Sequence, residues 1–297
     1  MLIALLIPLG LAALWFVVAL AKAAIAQGAV PRLEAVVLGA ITNFFDTLGI
    51  GSFAPTMAWF KFRKLVPDRL IPCTMLVGHT LPTITQAVIF LLLLGVLVDP
   101  VLLVGCVLAV LMGALVGATL VASTRVWAIQ AIVGCGLLMA ASLYMLANLN
   151  LMPGGGTANA LPPTLMVITI IANFVFGVLL NFGIGNYAPT LVMLSLMGMD
   201  PRLAFPIMAG GAAVAAGGAS ISHINRREID FRIATGMALG GIPAVFVAAF
   251  IVKSMPIEML RWLVIVVVVY AAVVMLRCAS AGRAEERAEG HEAAATA

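Results

Sequence analysis

Charged side chains make up only 9% of this chain, against about 25% in an ordinary soluble domain. That shortage excludes a globule with a water-covered surface. A strand-like alternation of apolar and polar residues is also missing, which excludes a β-barrel. Cysteine is sparse. Cys73, Cys106, Cys135 and Cys278 lie in apolar surroundings, without close pairing or histidine neighbours, and read as small core residues and not as metal or redox groups. No Gly-x-Ser-x-Gly elbow, His-Glu-x-x-His pair or phosphate loop is present, so no catalytic role, metal or cofactor is expected. The net charge is +4 and the pI about 9.1. Lys and Arg sit in short loops, however, where they report membrane orientation and not a nucleic-acid partner.

What is abundant is apolar. Hydrophobic residues form 64% of the 297 residues, with a mean hydropathy of +1.19, leaving room for about nine segments of membrane-spanning length. The first, Leu2 to Ala26, has no positive residue before it and is too long for a signal-peptide core; it is expected to be a retained helix starting outside. Further apolar stretches run from Leu33 to Phe60, Ile71 to Val98, Val101 to Ala122 and Ala128 to Leu149. An uncharged Gly/Pro loop, Met152 to Pro163, separates these from Thr164 to Met197, Leu203 to Ile221, Ile233 to Val252 and Met259 to Leu276.

Two stretches are broken by glycines, at Gly49 to Gly51 and Gly183 to Gly185. If every stretch were a full crossing, the basic loop of Lys61, Arg63, Lys64 and Arg69 and that of Arg226, Arg227 and Arg232 would face opposite sides. If both broken stretches instead turn back at their glycines, these loops, Arg125 and the tail all become cytoplasmic. Two re-entrant hairpins among seven crossings are therefore expected.

An internal repeat points the same way. Gly49-Ile50-Gly51-Ser52-Phe53-Ala54-Pro55-Thr56 matches Gly183-Ile184-Gly185-Asn186-Tyr187-Ala188-Pro189-Thr190 in six of eight positions, 134 residues apart. Pro67 to Pro72 resembles Asp200 to Pro206, and Arg125-Val126-Trp127 resembles Arg261-Trp262, at nearly the same offset. Asn43-Phe44 resembles Asn173-Phe174 at 130, which gives the second copy four extra residues, about one helical turn. Each unit holds a broken hairpin and three crossings. Three is odd, so the second unit is expected to be inverted relative to the first, as in secondary transporters with a midplane site. The expected fold is an all-α polytopic membrane protein. It has an N-terminal helix (1–30), two inverted-topology repeats (31–150 and 160–278) and a polar cytoplasmic tail (279–297) that frays or forms a short solvated helix.

The repeated motif has a chemistry of its own. Paired glycines permit unusual backbone conformations and close approach to the main chain. Ser52 and Asn186 are expected to be N-caps, and a proline three positions later is harmless in a helix's first turn. Two half-helices starting near the midplane would aim their positive dipole ends and free amides at one small anion. The expected binding residues are Gly49, Ile50, Gly51, Ser52 and Phe53 with Gly183, Ile184, Gly185, Asn186 and Tyr187. Asp46 is the acidic residue well inside an apolar hairpin, and its counterpart in the second copy is apolar. An intramembrane carboxylate is a functional candidate, and Asp46 and His79 are expected to serve proton coupling. Asn43 and Asn173 are expected to bond freed backbone groups, and Gln86 and Gln130 to join helices.

At the doubled glycine-broken hairpin the sequence resembles the TauE/SafE sulfite exporter family, also called the toluene-sulfonate uptake permease group. These are polytopic bacterial membrane proteins with two related halves, and the resemblance runs from about Leu33 to Leu276. It implies secondary transport of a small anion such as sulfite, sulfoacetate or another sulfonate or carboxylate across the inner membrane, often outward and driven by an ion gradient. Import and a passive anion channel are the alternatives; a homodimer is left open. Members commonly carry a run of glycines at the break, where Ser52 and Asn186 stand here. Those polar residues are expected to add hydrogen bonds to a larger oxyanion or a carboxylate.

Overall fold

A chain with few polar side chains must satisfy its backbone internally, which in a membrane leaves helices. The structure, a computed structural model, describes residues 2–120, 125–151, 156–180, 185–227 and 229–295. Among the described residues there is no β-strand, and eleven α-helices follow one another. They are α1 (Leu2–Ala26), α2 (Leu33–Thr47), α3 (Phe53–Arg63), α4 (Ile71–Leu93), α5 (Pro100–Leu120), α6 (Val126–Asn148), α7 (Pro163–Leu180), α8 (Tyr187–Leu196), α9 (Ala204–Arg226), α10 (Phe231–Ser254) and α11 (Ile257–Ala295).

Among the described residues seven helices are long and apolar enough to cross a membrane: α1, α4, α5, α6, α7, α10 and α11. The chain is thus a multi-pass membrane protein. Seven crossings were expected, but the membership differs. At 18 residues, α7 is long enough to cross alone, although it was expected as one arm of a hairpin. α9, expected as a crossing, is a helix of 23 residues that packs on α4 and α5.

The first broken stretch divides at its glycines, with α2 ending at Thr47 and α3 starting at Phe53; in the second, α7 is described to Leu180 and α8 from Tyr187, and residues 181–184 lie outside the described residues.

Helix pairing is closest between α2 and α10, between α5 and α7, and between α6 and α11. Glycines set the first two seams. A Cβ on Gly39 would lie 2.3 Å from the Met237 carbonyl oxygen, and one on Gly240 would lie 1.9 Å from that of Val36. On the other seam, a Cβ on Gly113 would lie 2.0 Å from the Phe174 oxygen and one on Gly177 2.2 Å from that of Val110. Lipid tails are as apolar as leucine, so helices in a membrane associate where small residues let backbones approach. Between them α4 and α9 form the centre, joined by Phe90 and Phe205 with ring centroids 5.0 Å apart.

Polar contacts tie helix ends together. Glu34, at the start of α2, accepts from Trp59 Nε1 at 3.1 Å and Arg63 Nε at 2.9 Å, both near the end of α3. Before α7, the Ala158 amide donates to the Gly198 carbonyl at 3.2 Å, and the Asp200 amide donates to the Ala158 carbonyl at 3.0 Å, just after α8. Of the fraying and the short solvated helix expected of the tail, the chain takes the helical form, continuing α11 without a break to Ala295. Arg283 and Glu286, three apart and so on one helical face, reach the start of α6: Glu286 accepts from Trp127 Nε1 and pairs with Arg125 Nε at 3.2 Å, while Arg283 lies 5.4 Å from the Trp127 ring centroid.

Candidate functional site

The first glycine motif needs its glycines for their backbone. Gly49 and Gly51 have φ of 96° and 90°, the left-handed region that side-chain-bearing residues resist. This kink lets α3 begin beside the end of α2. On α2, Asn43 Nδ2 donates to the Gly39 carbonyl at 2.7 Å, which leaves its Oδ1 free to accept. His79 of α4 takes that place, with Nδ1 3.0 Å from Asn43 Oδ1. Its Nε2 lies 3.0 Å from Thr56 Oγ1 on α3. A single histidine thus joins the helix before the break to the helix after it. The Phe53 ring lies 5.5 Å from the His79 ring, centroid to centroid.

The second motif repeats this bonding without the histidine. Asn173 Nδ2 donates to the Thr169 carbonyl at 2.9 Å, and the Thr190 hydroxyl donates directly to Asn173 Oδ1 at 3.3 Å. The residue 134 positions after His79 is Ala213, which has no group to interpose. Gly183 and Ile184 lie outside the described residues; Gly185 is exposed and, unlike Gly49 and Gly51, has no positive φ.

Both motifs meet on one face of α4. Tyr187, the first residue of α8, donates its hydroxyl to Gln86 Oε1 at 3.2 Å. Gln86 lies seven residues after His79 on the same helix, two turns on and about 10.5 Å along the axis. His79, Thr83 and Gln86 form a buried polar face there. Gly241 of α10 closes the site from behind: a Cβ on it would lie 2.5 Å from Pro82 Cγ and 2.6 Å from Asn43 Nδ2.

Ser52 and Asn186 stand at the expected cap positions, but neither makes a side-chain cap bond. Both have helical dihedrals, with ψ of −26° and −9°, whereas a capping side chain needs an extended residue to reach back to the first-turn amides. Asn186 Nδ2 instead donates to the Met208 carbonyl of α9 at 3.3 Å. Asp46 is buried near the end of α2, six residues before Ser52.

Of the residues singled out from sequence, Asn43, Asp46, Ser52, Phe53, His79 and Tyr187 come together around α4. Asn173 and Asn186 belong to the network at the start of α8, and Ile50 packs against the main apolar core. Thr56 and Thr190 were missed. They are an identity in the repeated motif, and a buried threonine identical in both copies was the available signal. Gln86 was taken only as a join between helices, and Gly241 carried no signal at all. Among the described residues no three His, Cys, Asp or Glu side chains gather as a metal would require.

A family model, described as sulfite exporter TauE/SafE, matches residues 165–297, from within α7 to the end of the chain. The match takes in Asn173, Asn186 and Tyr187 but not Asp46 or His79. No curated protein and no solved structure matches the chain. With helices suited to repeated membrane crossing, this is a polytopic membrane protein whose residues 165–297, less than half of the chain, match the model of the sulfite exporter TauE/SafE family.

Proposed function

We propose that this protein is a secondary transporter for a small sulfur-containing anion or related carboxylate, working outward across the inner membrane and coupled to protons, with its tail in the cytoplasm. The observation that carries the proposal is the buried polar face of α4. His79 engages the helix that follows one glycine break, and Gln86 the helix that follows the other. Two half-helix starts and their positive ends thus address a common region.

Packing supports reading residues 31–150 and 160–278 as two related halves of opposite orientation. If α2 corresponds to α7 and α5 to α10, exchanging the halves turns the α2–α10 seam into the α7–α5 seam. It leaves α4–α9 and α6–α11 unchanged. The contacts at helix ends support the hairpins: Glu34 with Arg63, and Ala158 with Gly198 and Asp200, hold the entrance and exit of each broken stretch at one end.

Hydrogen accounting at His79 suggests how protons couple. Nδ1 must carry a hydrogen, because Asn43 Oδ1 can only accept. Thr56 has one hydroxyl hydrogen and two acceptors in reach, His79 Nε2 at 3.0 Å and the Ser52 carbonyl at 2.7 Å. With a neutral ring the hydroxyl donates to Nε2. With a protonated ring Nε2 donates to Thr56, and the hydroxyl turns to Ser52 at the start of α3. A proton on His79 is thereby felt at the glycine break.

Uptake into proteoliposomes of sulfite, sulfoacetate, other sulfonates and small carboxylates, with and without a pH gradient, tests the proposal. Accumulation of at least one of these anions that follows the pH gradient is the expected result. Flux without accumulation would make the protein a channel or uniporter, and no flux for any of them would overturn the reading.

A further inference from the structure

Gln86 is 1% exposed. A buried amide needs partners at both ends, since each unmet donor or acceptor loses water without replacement. Its Oε1 receives the Tyr187 hydroxyl, but Nε2 has no hydrogen-bond partner among the described residues. Two N–H hydrogens are therefore without a protein partner in a buried site, beside the first residue of a ten-residue half-helix.

Neither half-helix start is capped by the side chain before it, and the Asn186 side chain is turned away to Met208. The residues 130 and 134 positions after Asp46 are Phe176 and Leu180, so the second motif carries no carboxylate of its own there. An idle donor on α4 and an uncapped helix start thus coincide at the second motif.

We propose that Gln86 donates through Nε2 to an oxygen of a sulfur oxyanion held at the start of α8, which makes it a specificity residue. An anion with three oxygens, such as sulfite or a sulfonate, can present one oxygen to Gln86 while the others face the helix start. A halide has no second atom to offer. Gln86 therefore favours oxyanions over chloride. This inference rests on the transport reading given above.

Titration calorimetry on the purified full chain tests it, with sulfite, methanesulfonate and chloride as ligands. Gln86→Met removes both bonds at similar volume, and Gln86→Asn, one methylene shorter, replaces it should that variant not fold. The expected result is at least a tenfold loss of sulfite and methanesulfonate affinity in the Gln86 variants, with chloride unchanged. Unchanged oxyanion affinity in the Gln86 variants would mean that Nε2 meets only a water, and would overturn the proposal. So would an equal loss for chloride, which would assign the effect to packing around the pair. If the parent binds neither sulfur oxyanion, the transport reading fails first, and this proposal with it.

Discussion

Thr56 and Thr190 hold equivalent places in the repeated motif but face different partners. Thr56 is bonded to a ring nitrogen with no other partner among the described residues, whereas Thr190 makes a longer bond, 3.3 Å, to an amide oxygen. Thr56→Val should therefore cost about 1–3 kcal/mol, the penalty of an unsatisfied buried group, and Thr190→Val about 1 kcal/mol or less. Thermal unfolding of the two variants in detergent checks the order; equal losses would remove His79 from the account of Thr56. The sequence made part of this legible. Asp46 and His79 stood out because polar side chains are rare in apolar stretches, and Asn43 and Asn173 because they recur. Which partner each one finds depends on α4 lying between the motifs, and no local pattern encodes that. The failed caps at Ser52 and Asn186 have a related cause: residue type suits a cap, but both residues take helical dihedrals, and the Met208 carbonyl takes the Asn186 side chain.

At the scale of helices, glycine acts in two ways. Gly39, Gly113, Gly177 and Gly240 let neighbouring backbones touch, while Gly136 on α6 has nothing within 4 Å of where a Cβ would be. Gly240→Ala should push α2 from α10 and cost about 1–3 kcal/mol. By contrast Gly136→Ala should stabilise by about 0.5–1 kcal/mol, since an open helical glycine carries only its entropy cost. Opposite shifts in melting temperature are expected, and a neutral Gly240→Ala would contradict the close seam. Helix positions followed from apolar stretches and glycine breaks. One feature did not. The tail reads as frayed or as a short solvated helix, and the docking of Arg283 and Glu286 on Trp127 and Arg125 is a contact set by tertiary structure.

For the whole molecule, the asymmetry between the halves is the functional point. Similar motifs begin α3 and α8, yet one carries Asp46 and His79 and the other neither. The family match covers the second motif, and the candidates for proton coupling lie outside it. On the proposed reading the anion belongs to one half and the proton to the other. Accumulation of sulfite in proteoliposomes under an imposed pH gradient, compared between the parent and Asp46→Asn, tests that assignment most directly. The account predicts accumulation above equilibrium for the parent, and for Asp46→Asn a flux that only runs down the sulfite gradient. Accumulation by Asp46→Asn equal to that of the parent would contradict it.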